Sequence, residues 1–271
     1  MLKASVIVST YNVPKYLKLV LDALKDQDIK TFEVIIADDG SIHETRDLIN
    51  NLVSTFPVPL RHVWHENTGF RAATIRNKAV AIAKGDYLIF LDGDCIPLTS
   101  FIRHHLKIAE KNWFVTGKRS FANKEFTEQL LTGKVINIHK FTIWQWFCLC
   151  SKHYCNRFFS FIYLPVTKVR KLRPKKWVGA QTCNLGIWRS DFLTINGFDE
   201  NYQGWGYEDS DLAIRLIKNG TLRKSGDYAV PVIHLWHEQN DRSNEPGNLE
   251  LLNNVLQNNR IKAEIGINQY I

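Results

Sequence analysis

An α/β fold built on a mainly parallel sheet with flanking helices follows from three observations. Short apolar runs alternate with helix-period segments from Ser5 to about Leu98, the pattern of strands crossed over by helices. Each apolar run then breaks into polar residues, and in open α/β sheets ligands bind outside the carboxyl ends of the strands. Finally, 271 residues suffice for one large domain with a full core.

The first strand is "SVIVST". "NVPKYLKLVLDAL" predicts a helix, with Asn12 as its cap, Pro14 in the first turn, and Leu17, Val20, Leu21 and Leu24 at helical spacing. "FEVIIADDGS" is a second strand ending in acid, and "LRHVWHEN" a third. An Ala-rich helix follows from about Phe70 to Lys84, closed by Gly85, and "DYLIFLDGD" is a fourth strand. The regular alternation fades from Asn112 to about Arg173, where Trp and Phe mix with a Lys/Arg run from Lys168 to Lys176. It returns in "NLGIWRSDFLTINGFDENYQGWGYEDSDLAIRLIKNG", whose final helix stops at Gly220; a last strand, "DYAVPVIHLWHE", precedes an Asn-rich tail. The resulting division is 1–111, a ligand-binding half; 112–176, an aromatic and basic helical insertion; 177–247, a second half; and 248–271, a tail.

Composition narrows the setting. Thirty-five Lys and Arg against 27 Asp and Glu leave a charge of +8, which suits nucleic acid, anionic lipid or a phosphate-bearing substrate alike. Five cysteines, an odd number in a chain too long to need staples, argue for a reducing compartment. The opening "MLKASVIVST" leads straight into a strand with no leader pattern, and no apolar run approaches the roughly 20 residues of a membrane helix. The expectation is a cytoplasmic protein, peripheral at most at the inner face of the cell membrane.

Two constellations carry chemistry on their own. In "LDGD", Asp92 and Asp94 flank a turn-permitting Gly93 at a strand end, an oxygen-rich pair suited to a hard divalent cation bridging to phosphates. Asp-Gly-Asp is also ordinary turn chemistry. In "VIHLWHEQN", His234 and His237 stand three apart beyond a strand, and imidazole is a common ligand of transition metals. A third stretch, "GWGYEDSDLAIRL", packs Glu208, Asp209 and Asp211 into four residues behind Trp205 and Gly206. A helix N-terminus accommodates one such acid readily and three less so.

"SVIVSTYN", "VIIADDGS", "NTGFRAATIRNKAV", "LIFLDGDCIP" and "GWGYEDSDLAIRL", in this order, resemble the family 2 glycosyltransferases of the GT-A fold, a Rossmann-like sheet with flanking helices. "INGFDENYQGWGYEDSDLAIRL" with the later "HLWH" and "NEP" is similar to the galactosyltransferase-type module of beta-1,4-galactosyltransferases and bacterial chondroitin polymerases. The resemblance covers roughly residues 3 to 100 and 177 to 247. It implies that Asp39 contacts the uracil base of a UDP-sugar donor and that Ser9 and Tyr11 line the same pocket. Arg71 would lie near the nucleotide, and Arg76 or Asn77 near its phosphates or ribose. Asp92, beside Gly93, would reach the ribose or the donor sugar. Asp94 and His237 would bind Mn²⁺ (or Mg²⁺), and His234, which stands where the relatives carry Met, makes a two-histidine site possible. Asp209 would be the general base, Glu208 a hydrogen-bonding partner of substrate hydroxyls, and Trp205 with Gly206 a flat face for the acceptor sugar. A carboxylate beside aromatic rings is partly desolvated, which raises its pKa and makes it a better base.

The implied activity is transfer of a hexose or N-acetylhexosamine, with galactose-type sugars favoured, from a UDP-sugar to a glycan or lipid-linked glycan with inversion, in bacterial surface polysaccharide or lipooligosaccharide synthesis. A retaining transferase on the same fold is the alternative chemistry, and a non-catalytic nucleotide-sugar or anionic-surface binder the alternative class. Nucleic acid is not an expected partner: Arg71 and Arg76 are sparse, and no strand carries base-stacking aromatics. Residues 141–177 read either as a helical subdomain with a solvated basic face or as a membrane-contacting element. Cys148, Cys150, His153 and Cys155 depart from zinc-finger spacing and are expected to bind no metal.

Overall fold

The computed structural model describes residues 3–165, 168–238 and 241–271. Met1 and Leu2 of the opening stretch, Val166 and Thr167 of the insertion, and Gln239 and Asn240 after the second histidine lie outside the described residues.

Ten strands and nine α-helices alternate along the described chain. The strands are β1 (Ala4–Thr10), β2 (Phe32–Asp38), β3 (Leu60–Trp64), β4 (Tyr87–Asp92), β5 (Cys95–Pro97), β6 (Trp113–Thr116), β7 (Arg119–Phe121), β8 (Asn184–Trp188), β9 (Leu222–Ser225) and β10 (Val232–His234). The helices are α1 (Pro14–Lys25), α2 (His43–Val53), α3 (Ala72–Ala81), α4 (Phe101–Ile108), α5 (Lys124–Leu131), α6 (Ile143–Ser151), α7 (Arg189–Thr194), α8 (Glu208–Lys218) and α9 (Glu245–Gln257).

Seven strands form the main sheet in the order β3-β2-β1-β4-β8-β6-β9, and β5, β10 and β7 form a small second sheet. The first four of the main sheet are parallel, while β8 runs antiparallel to both neighbours. This is the mixed, mainly parallel sheet with flanking helices that the sequence predicts. Both faces are covered, so the strands are apolar throughout. Val6 and Val8 of β1 pack with Leu17, Val20 and Leu24 of α1, whereas Ile7 between them packs with Ala73, Ile75 and Val80 of α3, the period-two alternation of a strand.

Several details depart from the sequence reading. Asn12 does not cap α1: it adopts φ 51° and its side chain accepts the N–H of Ile42, while Val13 occupies the cap position. Helix α3 ends at Ala81, before Gly85. Gly85 is needed instead for close approach, because a Cβ there would lie 2.4 Å from the carbonyl carbon of Ala4. The stretch 112–176 is not all insertion, since β6 lies inside the main sheet between β8 and β9 and β7 lies in the small sheet. Strands this short carry too little periodicity to be read. The tail 248–271 is packed on the rest: α9 runs into it as far as Gln257, Ile267 is buried, and Arg260 pairs with Asp199 at 3.1 Å and Asp211 at 3.7 Å.

Candidate active site

Strand register builds the first wall of a cleft of about 830 Å³. Ser9 at the end of β1 lies opposite Asp92 at the end of β4, and Thr10 opposite Asp38 at the end of β2. β1 thus sits where the strand order reverses, and the side chains at its carboxyl end face the crevice. Asp38 is consumed by the fold, bonded to His62 and to the N–H of Ser41. Asp39 faces the cleft, its oxygens held by His65 at 2.6 Å and by the N–H of Arg71 at 2.8 Å. Tyr11 is exposed at the rim, its hydroxyl accepting a hydrogen bond from Asn67. Gly93 donates its N–H to the Ser9 carbonyl, and a Cβ there would come within 2.9 Å of that oxygen.

The second wall comes from later segments. Tyr207 adopts φ 72° at the N-cap of α8 and turns the chain so that three acids occupy one helical turn with three different partners. Asp211 is fully buried and neutralised by Arg215 and Arg260. Glu208 accepts a hydrogen bond from Arg76 at 3.0 Å. Asp209 accepts from the Thr182 hydroxyl at 2.9 Å and from the Thr182 N–H at 3.1 Å, both its oxygens thereby oriented at the cleft.

Arg76 joins the walls. Its buried guanidinium reaches Ser9, Glu208 and Asp92, with Asp209 3.9 Å away. Burial works against its charge, but the three carboxylates more than compensate and raise its pKa. Burial pushes Glu208 up to about 7, with Asp209 adding to the rise and Arg76 opposing it. Burial likewise raises Asp92 to about 6 against the pull of Arg76. Glu208, beside the aromatic loop, therefore holds a proton more tightly than a free carboxyl.

Asp94, His234 and His237 converge where β10 pairs with β5, their ligand atoms all within 4.8 Å of one another. His237 Nε2 stands 3.2 Å and His234 Nε2 3.6 Å from the same Asp94 oxygen. The His237 Nδ1–H donates to the Glu238 carbonyl at 2.6 Å, which directs Nε2 into the site, the outer-shell arrangement of metal-binding histidines. Burial alone would raise Asp94, but the His237 hydrogen bond and the two imidazoles hold it below the ordinary carboxylate value. One carboxylate and two imidazoles, that of His237 held in orientation, fit a divalent transition cation. A second group, Asp92 with Cys95 and Cys183, is a poorer candidate, because burial pushes the Cys95 thiol well up and keeps it protonated. Among the described residues, Cys148, Cys150, His153 and Cys155 form no such group.

Of the residues singled out in the sequence, Ser9, Tyr11, Asp39, Arg76, Asp92, Gly93, Asp94, Trp205, Gly206, Glu208, Asp209, His234 and His237 all line this one cleft. Two do not. Asn77 is fully buried, its amide bonded to the backbone of Phe198 and to Glu200, so it staples α3 to the following loop and faces no ligand. The Arg71 guanidinium turns away to the Glu66 carbonyl, and only its N–H serves Asp39. Sequence reasoning missed Thr182, Gln181, Arg119, Trp236 and Arg242, which also line the cleft. Thr182 precedes β8, and because β8 is antiparallel its start lies at the edge where the parallel strands end. Arg242 sits 4.2 Å above the Trp205 ring.

The model of glycosyl transferase family 2 matches residues 5–167, more than half of the chain. The chain belongs to glycosyl transferase family 2. A second model, the N-terminal domain of galactosyltransferase, matches residues 166–228, ending before the two histidines. The family assigns the chain as an enzyme of glycosyl transfer. Among its relatives, an uncharacterized glycosyltransferase, YfnE, of Bacillus subtilis is 29% identical over 89% of this chain and 67% of its own length. Validoxylamine A glucosyltransferase of Streptomyces hygroscopicus is 26% identical over 80% and 51%, and chondroitin synthase of Escherichia coli 24% identical over 83% and 34%. The chain thus spans about half or less of the length of the last two. The fold matches S. aureus TarS 1-349 in complex with UDP, with a TM-score of 0.65 at 18% identity over 99% of this chain and 68% of that one. It also matches the mannosyltransferase PcManGT of Pyrobaculum calidifontis in complex with GDP-Man and Mn²⁺, with a TM-score of 0.60 at 16% identity over 86% and 56%.

Proposed function

We propose that this family 2 enzyme transfers a hexosyl or N-acetylhexosaminyl group, of the galactose type in first choice, from a UDP-sugar to a glycan hydroxyl with inversion at the anomeric carbon. The observation that carries the reading is the placement of Asp209 and the Asp94–His234–His237 group on one cleft that also holds Ser9, Tyr11 and Asp39. Ser9, Tyr11 and Asp39 form the nucleotide end, and Asp92 and Arg76 face the ribose and sugar. Trp205 and Trp236 supply flat apolar faces for the acceptor.

In the displacement, Asp209 takes the proton of the acceptor hydroxyl as that oxygen bonds the anomeric carbon, and the bond from that carbon to the diphosphate oxygen breaks to release UDP. The Thr182 contacts hold the carboxylate in one orientation, so no freedom is lost at the moment of proton transfer. Asp94, His234 and His237 would hold Mn²⁺ or Mg²⁺, which when bound offsets the charge developing on the diphosphate. Arg119, bonded to Gln181, adds a second cation on the same cleft.

We take the acceptor to be a surface glycan, free or lipid-linked; the name of the chondroitin synthase relative supports the glycan class alone. Five free thiols favour a reducing compartment, the cytoplasm. The test is a panel of UDP-glucose, UDP-galactose and their N-acetylated forms, with Mn²⁺ or EDTA, scored by UDP release and by NMR of the product anomer. Metal-dependent release with an inverted product supports the reading. A retained configuration transfers it to a retaining mechanism, and absence of UDP binding overturns it.

A further inference from the structure

Residues 141–161 place a contiguous aromatic surface on the outside of the molecule. Of the two tryptophans on α6, Trp146 is buried and stacks on Phe161 with centroids 3.9 Å apart, whereas Trp144, on nearly the opposite side of the helix, is 73% exposed. Trp144 meets Phe147 edge-on, Phe147 meets Phe158, and Phe158 meets Phe159, which is itself 68% exposed. Scattered exposed apolar residues need no explanation, but rings joined edge to edge across two elements do. The inner pair anchors the segment to the core, so the outer rings are held outward by packing.

The charge around this surface has one sign. Between residues 129 and 190 the chain carries 11 Lys and Arg and no Asp or Glu. Lys140 and Lys152 flank α6, Arg157 immediately precedes Phe158, and Lys152 and Arg157 are exposed. Among the described residues, the acids that reach residues 141–161 and the adjoining Lys140 are Asp26, which pairs with Lys140, and Glu125, which accepts from Tyr154, while Glu110 pairs with Lys171 and Asp209 bonds Thr182 farther along the basic stretch. Aromatic rings with exposed cations beside them match the two layers of an anionic bilayer surface, rings entering the headgroup boundary and cations meeting lipid phosphates.

The surface also adjoins the cleft. Arg157 lies 5.4 Å over the ring of Phe121 and donates to the Arg119 carbonyl, and both Phe121 and Arg119 line the cleft. We propose that Trp144, Phe147, Phe158 and Phe159 with Lys152 and Arg157 form a docking surface for an anionic lipid bilayer, which holds the cleft mouth beside the membrane. The choice of a lipid-linked acceptor rests on the proposed transferase reading; the docking itself does not.

The test uses the full chain and its Trp144→Ser, Phe147→Ser, Phe159→Ser triple variant, whose side chains are exposed. Sedimentation is measured with vesicles of phosphatidylcholine alone and with added phosphatidylglycerol, at low and high salt, alongside UDP binding and light scattering. The expected result is sedimentation with the phosphatidylglycerol vesicles, weakened by salt, and reduced about tenfold in the variant with UDP binding unchanged. The proposal is overturned if the intact protein stays in solution at low salt. It is equally overturned if the variant sediments as well as the parent, which makes the binding a general effect of net charge. A dimer that the variant dissolves, without vesicle binding, would reassign the rings to contact between two copies. Failure of the donor panel with vesicle binding intact would remove the transferase reading and leave the docking standing.

Discussion

The two walls of the cleft are made differently. On the first wall, Ser9, Asp39 and Asp92 sit at the ends of adjacent parallel strands, so hydrogen-bond register alone sets their spacing. On the second wall, Asp209, Thr182, Asp94 and the histidines come from α8, the start of β8, the β4–β5 turn and the end of β10, brought together by contacts far apart in sequence. The first wall is a property of the sheet. The second depends on a set of buried polar contacts, and its geometry should be the more easily lost.

The largest effect is expected at Asp209. Asp209→Asn should lower kcat by about 10²–10⁴ while leaving UDP affinity within about twofold, measured by UDP release and calorimetry. Arg76 tests the junction between the walls. Arg76→Met should destabilise the fold by about 3–5 kcal/mol in denaturant unfolding, because it leaves the buried Glu208 carboxyl without its cation. A loss under 1 kcal/mol would mean that the walls stand independently. Gly93→Ala, on the first wall, should cost about 1–3 kcal/mol, since its Cβ must displace the Ser9 carbonyl.

A smaller effect separates the halves by pH. His105 is buried against Asn184 of β8, and desolvation lowers its pKa to about 3. It therefore folds neutral, and its contribution is complete above its unfolded value of about 6.5 and lost as pH falls below it. The His105 contribution should fall by about 1.4 kcal/mol between pH 7.5 and 5.5, read as the difference in slope between the parent and His105→Gln, because Glu208 and Asp92 titrate in the same window with the opposite sign. An unchanged slope in the variant would assign the acid sensitivity elsewhere. Smallest is Thr182→Val, about 1 kcal/mol in transition-state stabilisation, read as a modest fall in kcat.

The same contrast explains what could be read in advance. The parallel strands announce themselves by apolar runs and their ends by polarity, so Ser9, Asp39, Asp92 and Asp94 were legible, as was the acidic turn at Glu208. Asn77 was not, because a buried Asn in an Ala-rich helix has the same local signature whether it faces a phosphate or the Phe198 backbone. Thr182 and Arg119 escaped because β7 is three residues long and the direction of β8 is a fact of the sheet, absent from any local window. Asp211 resembled Asp209 in sequence and was separated from it only by Arg215, one turn later, and Arg260, far along the chain.

That last pairing bears on how the protein is made. Arg260 reaches Asp199 and Asp211, Asn196 bonds the Ala263 carbonyl, and Tyr270 donates to Glu200, so residues 260–270 close over the loop and helix that carry Asp209. On a ribosome, the parallel strands can pair as they emerge, but the acids beneath α8 lack one of their counter-ions until those residues are translated. Nucleotide binding should thus arise earlier in synthesis than turnover, and a nascent chain halted near residue 255 should retain the one and lack the other.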